Sequence, residues 1–88
     1  MPDAVRTPHA RVEPARRDLP EEIVRAVLEA PEQRAEARPG RVVLQSRVTM
    51  GSPGRRYLVR VVVDVQRRPP EVVTVYRTSR IAKYWRDE

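Results

Sequence analysis

Apolar positions change their spacing once along this chain of 88 residues, from helical before Gly40 to alternating after it. Ile23, Val24, Val27 and Leu28 fall at i, i+1, i+4 and i+5, a stripe that one helix face can bury. Asp18-Leu19-Pro20-Glu21-Glu22 opens that helix, with proline early and two acids where the helix dipole favours them, and Pro31 closes it. An earlier helix is predicted from Thr7-Pro8, a cap residue followed by proline at the first helical position. It would carry His9, Glu13 and Arg17 on one stripe, with Pro14 kinking or shortening it. Residues 1–6 have no pattern and read as a disordered tail; Glu32 to Gly40 reads as a polar connection.

From Arg41 the period is two. Val42, Leu44, Val48 and Met50 alternate with Gln45, Arg47 and Thr49, and Gly51-Ser52-Pro53-Gly54 then turns the chain. In Arg56–Val65 every odd position is apolar, while the even ones are Arg56, Leu58, Arg60, Val62 and Asp64. After Gln66 to Pro70 a third strand puts Val73 and Val75 on one face and Val72, Thr74 and Tyr76 on the other. Ser79 is placed to cap a last short helix through Trp85. These elements predict one α+β domain over residues 7–88: two N-terminal helices packed on one face of a three-stranded antiparallel meander, with a short C-terminal helix.

If the polar faces coincide, the shortest loops put Gln45 opposite Arg60 and Arg60 opposite Tyr76, within a two-residue slip. That gathers Gln45, Arg47, Arg60, Thr74 and Tyr76 on one surface, with Arg60 on the rigid middle strand. Arginine matches two phosphate oxygens and stabilises the charge of a pentavalent phosphate. Tyrosine or histidine can move the proton of a 2′-hydroxyl or of the leaving oxygen, and an aromatic face can stack a base.

Charge sharpens this picture. Residues 1–40 hold seven Arg against eight Asp/Glu, or −1, and residues 41–88 hold eleven Lys/Arg against four, or +7, which suits a polyanion partner. Arg56, Arg77, Arg80 and Lys83 join Gln45 and Arg47 as candidate nucleic-acid contacts. No cysteine is present and His9 is the single histidine, so disulfides, thiolate metal sites and zinc are not expected, nor is any cofactor. The three glycines form no phosphate loop, and no spacing supports a Ser-His-Asp triad. No apolar run approaches a membrane span or a signal-peptide core, so a cytoplasmic location without membrane association is expected.

Several segments together carry a family resemblance. They are His9-Ala10; Arg17-Asp18-Leu19 with Glu21-Glu22-Ile23-Val24; Tyr57-Leu58-Val59-Arg60-Val61-Val62-Val63-Asp64; and Val72-Val73-Thr74-Val75-Tyr76-Arg77-Thr78-Ser79-Arg80-Ile81-Ala82-Lys83-Tyr84-Trp85. Over about residues 9–85 the chain resembles the domain-of-unknown-function family 4258 and, through it, the RelE-type ribonuclease toxins of the barnase–EndoU–colicin–RelE group. The resemblance implies N-terminal helices followed by an antiparallel sheet whose open face cleaves RNA without metal. It also implies catalytic roles for His9, Arg17, Arg60, Thr74 and Tyr76, and an antitoxin as protein partner. The chain departs from the family pattern at Glu13, where an arginine is usual, and at Pro14. Three readings follow: a metal-independent RNA endonuclease acting as the toxin of a toxin–antitoxin pair, a non-catalytic RNA- or ribosome-binding module, and a protein-interaction domain that docks an acidic partner.

Overall fold

The structure, a computed structural model, describes residues 1, 4–6 and 19–87. Its first helix, α1 (Glu21–Glu29), follows Pro20 and keeps Glu21 and Glu22 in the first turn. The apolar stripe buries Val24, Val27 and Leu28, with Leu19 just ahead of them. These side chains meet Val42, Leu44, Val59, Val61, Val63, Val72 and Val75 in one cluster. Each Val or Leu withdrawn from water contributes about 1.5–3 kcal/mol, which is why so short a helix holds its place.

The sheet has five strands in the order β1-β5-β4-β3-β2. They are β1 (Val5–Arg6), β2 (Gln33–Arg38), β3 (Arg41–Met50), β4 (Arg55–Asp64) and β5 (Glu71–Thr78). Strands β2 to β5 form an antiparallel meander, and β1 adds a short parallel edge beside Glu71 and Val72. Helix α2 (Ile81–Tyr84) ends the regular structure. The cap position is Arg80, not the expected Ser79, and no side chain caps the helix; Arg80 N donates to the Thr78 hydroxyl at 3.1 Å in the turn just ahead of it.

The predicted architecture of two helices on a three-stranded sheet is therefore corrected. Among the described residues a single helix precedes the main sheet, and four strands, not three, make the antiparallel meander. The predicted helix from Thr7 lies outside the described residues. The extra meander strand, β2, occupies what reads in sequence as a polar connection. Alternation is invisible there because β2 is an edge strand, with Arg34, Glu36, Ala37 and Arg38 exposed. Pro39-Gly40 joins it to β3, and Gly40 takes φ +82°, the conformation glycine supplies at the third position of a type II turn. Val5 and Arg6 pair with β5 where the sequence shows only an unpatterned tail.

A second correction concerns β5. Val62 faces Thr74 but Val63 faces Val72, so a bulge absorbs Val73. The bulge shifts the alternation by one residue. Val72 and Val75, three apart, both reach the core, whereas the pattern predicts Val73 there and Val72 on the other face.

Candidate nucleic-acid interface

Four polar residues form one row across four neighbouring strands on the face away from α1. Gln33 lies opposite Gln45, Gln45 opposite Arg60, and Arg60 opposite Tyr76. Such positions share a face because side chains on paired strands point the same way. The row is joined by hydrogen bonds from end to end. Gln45 Nε2 donates to Gln33 Oε1 at 2.8 Å, Arg60 Nε donates to Gln45 Oε1 at 3.0 Å, and Arg60 Nη1 donates to the Tyr76 hydroxyl. Gln45 is 1% exposed, so its amide is a buried polar group that needs these partners.

The C-terminal residues lie across this row. The Arg60 guanidinium carbon sits 4.1 Å from the centre of the Tyr84 ring and 5.7 Å from that of Tyr76. Gln45 Nε2 also donates to Tyr84 O at 3.2 Å, while Arg86 N donates to Gln33 Oε1 at 3.1 Å and Gln33 Nε2 donates back to Arg86 O. The face that the alternation leaves open is thus partly roofed. Val43, Gln45 and Leu58 are buried on it, giving the sheet a smaller second layer opposite the α1 core.

Beside the row stands an ion pair. Glu32 Oε2 accepts from Arg47 Nη2 at 3.1 Å, and its Oε1 accepts from Arg47 Nε at 3.3 Å and from the Arg47 backbone N at 2.7 Å. The Arg47 side chain, and then its backbone N–H, hold the Glu32 carboxyl below its ordinary range; Glu32 in turn raises the Arg47 guanidinium. The Arg47 guanidinium also lies 4.0 Å from the Trp85 ring centre. The two C-terminal aromatic residues therefore each stack on an arginine of this face.

The predicted site residues divide by location. Gln45, Arg60 and Tyr76 are brought together, and Thr74, opposite Val62, shares their face. Arg47 shares the face, opposite Leu58 and beneath the Trp85 ring, and Arg56 is exposed on the same face toward the β3–β4 turn, opposite Thr49. Arg77 lies on the other face, opposite Val59, with its guanidinium 4.3 Å from the Tyr57 ring centre. Arg80 and Lys83 are exposed around α2. His9 and Arg17 lie outside the described residues. Gln33, Tyr84 and Trp85 are the residues that sequence reasoning missed. The row position of Gln33 follows only once β2 is a strand, and Tyr84-Trp85 reads as the end of a helix rather than as a cover.

Arg60 is the group with the clearest chemistry. A guanidinium has five N–H donors in a fixed fork. Two are taken by Gln45 and Tyr76, which fix its plane and leave the others to a ligand. The Tyr76 phenol, held against it, can give a proton to an oxygen bound there. Among the described residues no group of three His, Cys, Asp or Glu side chains could hold a metal ion, and no helix is long and apolar enough to cross a membrane.

Comparison with known proteins assigns the family. Residues 7–77 match the domain of unknown function DUF4258, and the chain belongs to that family. The match takes in the whole Gln33-Gln45-Arg60-Tyr76 row; the roofing residues Ile81 to Arg86 lie beyond it. No curated protein and no solved structure matches the chain.

Proposed function

We propose that this domain is a metal-independent RNA endonuclease working from the Arg60 face, and that it is the toxin of a toxin–antitoxin pair. The observation that carries the reading is the locked Gln45–Arg60–Tyr76 row, which fixes a guanidinium and a phenol side by side. Arg60 would hold the scissile phosphate and stabilise the charge that grows on its oxygens in the transition state. The RNA 2′-oxygen attacks phosphorus as its proton passes to a base, for which His9 is the candidate from the sequence. The P–O5′ bond breaks and Tyr76 protonates the departing oxygen, leaving a 2′,3′-cyclic phosphate. Thr74 would orient the substrate, and Arg17 would assist at the phosphate.

The test is cleavage of RNA by the purified protein, with and without ribosomes, in the presence of EDTA. Cyclic-phosphate or 3′-phosphate ends are expected, with Arg60→Ala slower by on the order of a hundredfold or more. No cleavage under either condition, or an Arg60→Ala variant as fast as the parent, overturns the reading. A second reading draws on the Tyr84 ring over Arg60: the face binds RNA or the ribosome without cutting it. Salt-dependent binding with no turnover by the parent protein would select that reading.

A further inference from the structure

Strand β2 lies at the end of the sheet, paired only with β3. Its outer edge is open to another strand among the described residues. The opposite edge is covered by the two-residue β1, so β2 is the longer free edge. Native edges are commonly blunted by charged side chains, lysine above all, by proline or by bulges. Neither lysine nor proline falls inside Gln33–Arg38, with Pro31 and Pro39 just outside it, and the charges it does carry are of both signs.

The sequence of this edge is complementary to itself. About Ala35, Arg34 is balanced by Glu36 and Glu32 by Arg38, so each basic residue has an acidic counterpart at the mirrored position. Arg34 and Glu36 are exposed, and neither is ion-paired within the chain among the described residues.

We propose that β2 is a dimerisation edge, where a second copy of this chain adds its own β2 antiparallel about a twofold axis through Ala35. Antiparallel strands related by such an axis pair residues whose numbers have an even sum. The Ala35-centred register sets Arg34 against Glu36 of the second copy, twice by symmetry, and Gln33 against Ala37. Sliding two residues one way sets Glu36 against itself and Arg34 against Arg38. Sliding the other way sets Arg34 against itself and Glu32 against Glu36. Both put like charges directly opposite, which is destabilising. Of these three registers, only the Ala35-centred one keeps like charges apart, and it also centres on the regular stretch of β2.

The break in pairing between Glu36 and Arg38 keeps the regular stretch short, so the dimer is weak and reversible. The axis runs perpendicular to the sheet. It keeps both α1 layers on one side and both Arg60 rows on the other, the two β4 strands being five strand spacings, or roughly 24 Å, apart. A polyanion could then lie across both rows, but the pairing itself does not depend on RNA cleavage.

The experiment is sedimentation of the full chain across a concentration series. Reversible dimer is expected, weakened about tenfold or more by Arg34→Glu alone and by Glu36→Arg alone, since each sets like charges opposite at two places. The double variant R34E/E36R restores both pairs and should return dimerisation to the parent level. An equimolar mixture of the two single variants should form a heterodimer, because each supplies what the other lacks. Circular dichroism checks that each variant keeps its sheet. A parent chain monomeric up to about 1 mM overturns the proposal. So do single variants that associate like the parent, or a folded double variant and a folded mixture that both stay monomeric.

Discussion

Arg60 and Gln45 face each other across β4 and β3, and the Arg60 Nε donates to Gln45 Oε1 at 3.0 Å. The same Gln45 amide donates to Gln33 and to the backbone of Tyr84. One buried side chain thus fixes the arginine, the edge strand and the C-terminal segment together. Gln45→Leu keeps the volume but removes both the acceptor and the donor, and should lower stability by about 1–3 kcal/mol. A double-mutant cycle with Arg60→Met in urea should give a coupling of about 0.5–3 kcal/mol. Additive effects would mean that the bond does not hold Arg60 in place.

Each side of the sheet buries a leucine. Leu44 is buried with α1 over it, and Leu58 is buried on the opposite face, outside the main cluster. If the C-terminal residues form a packed layer over the row, Leu58→Ala should cost as much as Leu44→Ala, about 2–5 kcal/mol each. Denaturant titration measures both. A Leu58→Ala cost well under 1 kcal/mol would make the C-terminal segment a loose tail with no packing role.

How far the sequence carried these features depends on burial. Strands β3 and β4 were legible because Val42, Leu44, Val59, Val61 and Val63 must all reach one core, which fixes their period and sets Gln45 opposite Arg60 and Arg60 opposite Tyr76. Strand β2 was not legible, because an edge strand with exposed Arg34 and Glu36 has no apolar face to betray it. The Pro39-Gly40 pair is the one local signal, and it fits a loop as well as a hairpin turn. The bulge at Val73 was hidden too, since three consecutive positions, Val72, Val73 and Thr74, fit either alternation. The roof over Arg60 depends on where the chain returns after Thr78, and no local pattern encodes that path.

Acid sensitivity should report the Glu32–Arg47 pair. The folded state holds the Glu32 carboxyl below its usual range, chiefly through side-chain hydrogen bonds from Arg47. A carboxylate depressed in the folded state contributes stability that is present above its unfolded pKa and is lost as pH falls through the folded value. Both side chains are partly exposed, at 34% for Arg47 and 40% for Glu32, so screening keeps the effect small. Glu32→Gln should leave a shallower decline in thermal stability below about pH 4.3, the usual glutamate value, than the parent shows. Identical declines would mean that the pair carries no folding energy.

The two faces of the sheet present different arginines to RNA. Arg56 is exposed on the face of Arg60, while Arg77 lies on the helix side against Tyr57, yet both belong to the basic C-terminal half. Binding driven by net charge alone would weaken alike when either is removed. RNA bound on the Arg60 face and extending along β4 toward the β3–β4 turn instead reaches Arg56 and misses Arg77. Each phosphate neutralised releases counterions, so log affinity falls linearly with log salt, and losing one contact lowers the slope by about 1. Arg56→Ala should therefore flatten the salt dependence, and Arg77→Ala should leave it at the parent value. Fluorescence anisotropy with a short labelled RNA over a salt series measures both slopes. If Arg77→Ala flattens the slope and Arg56→Ala does not, the RNA sits on the helix side and the Arg60 row is not its site.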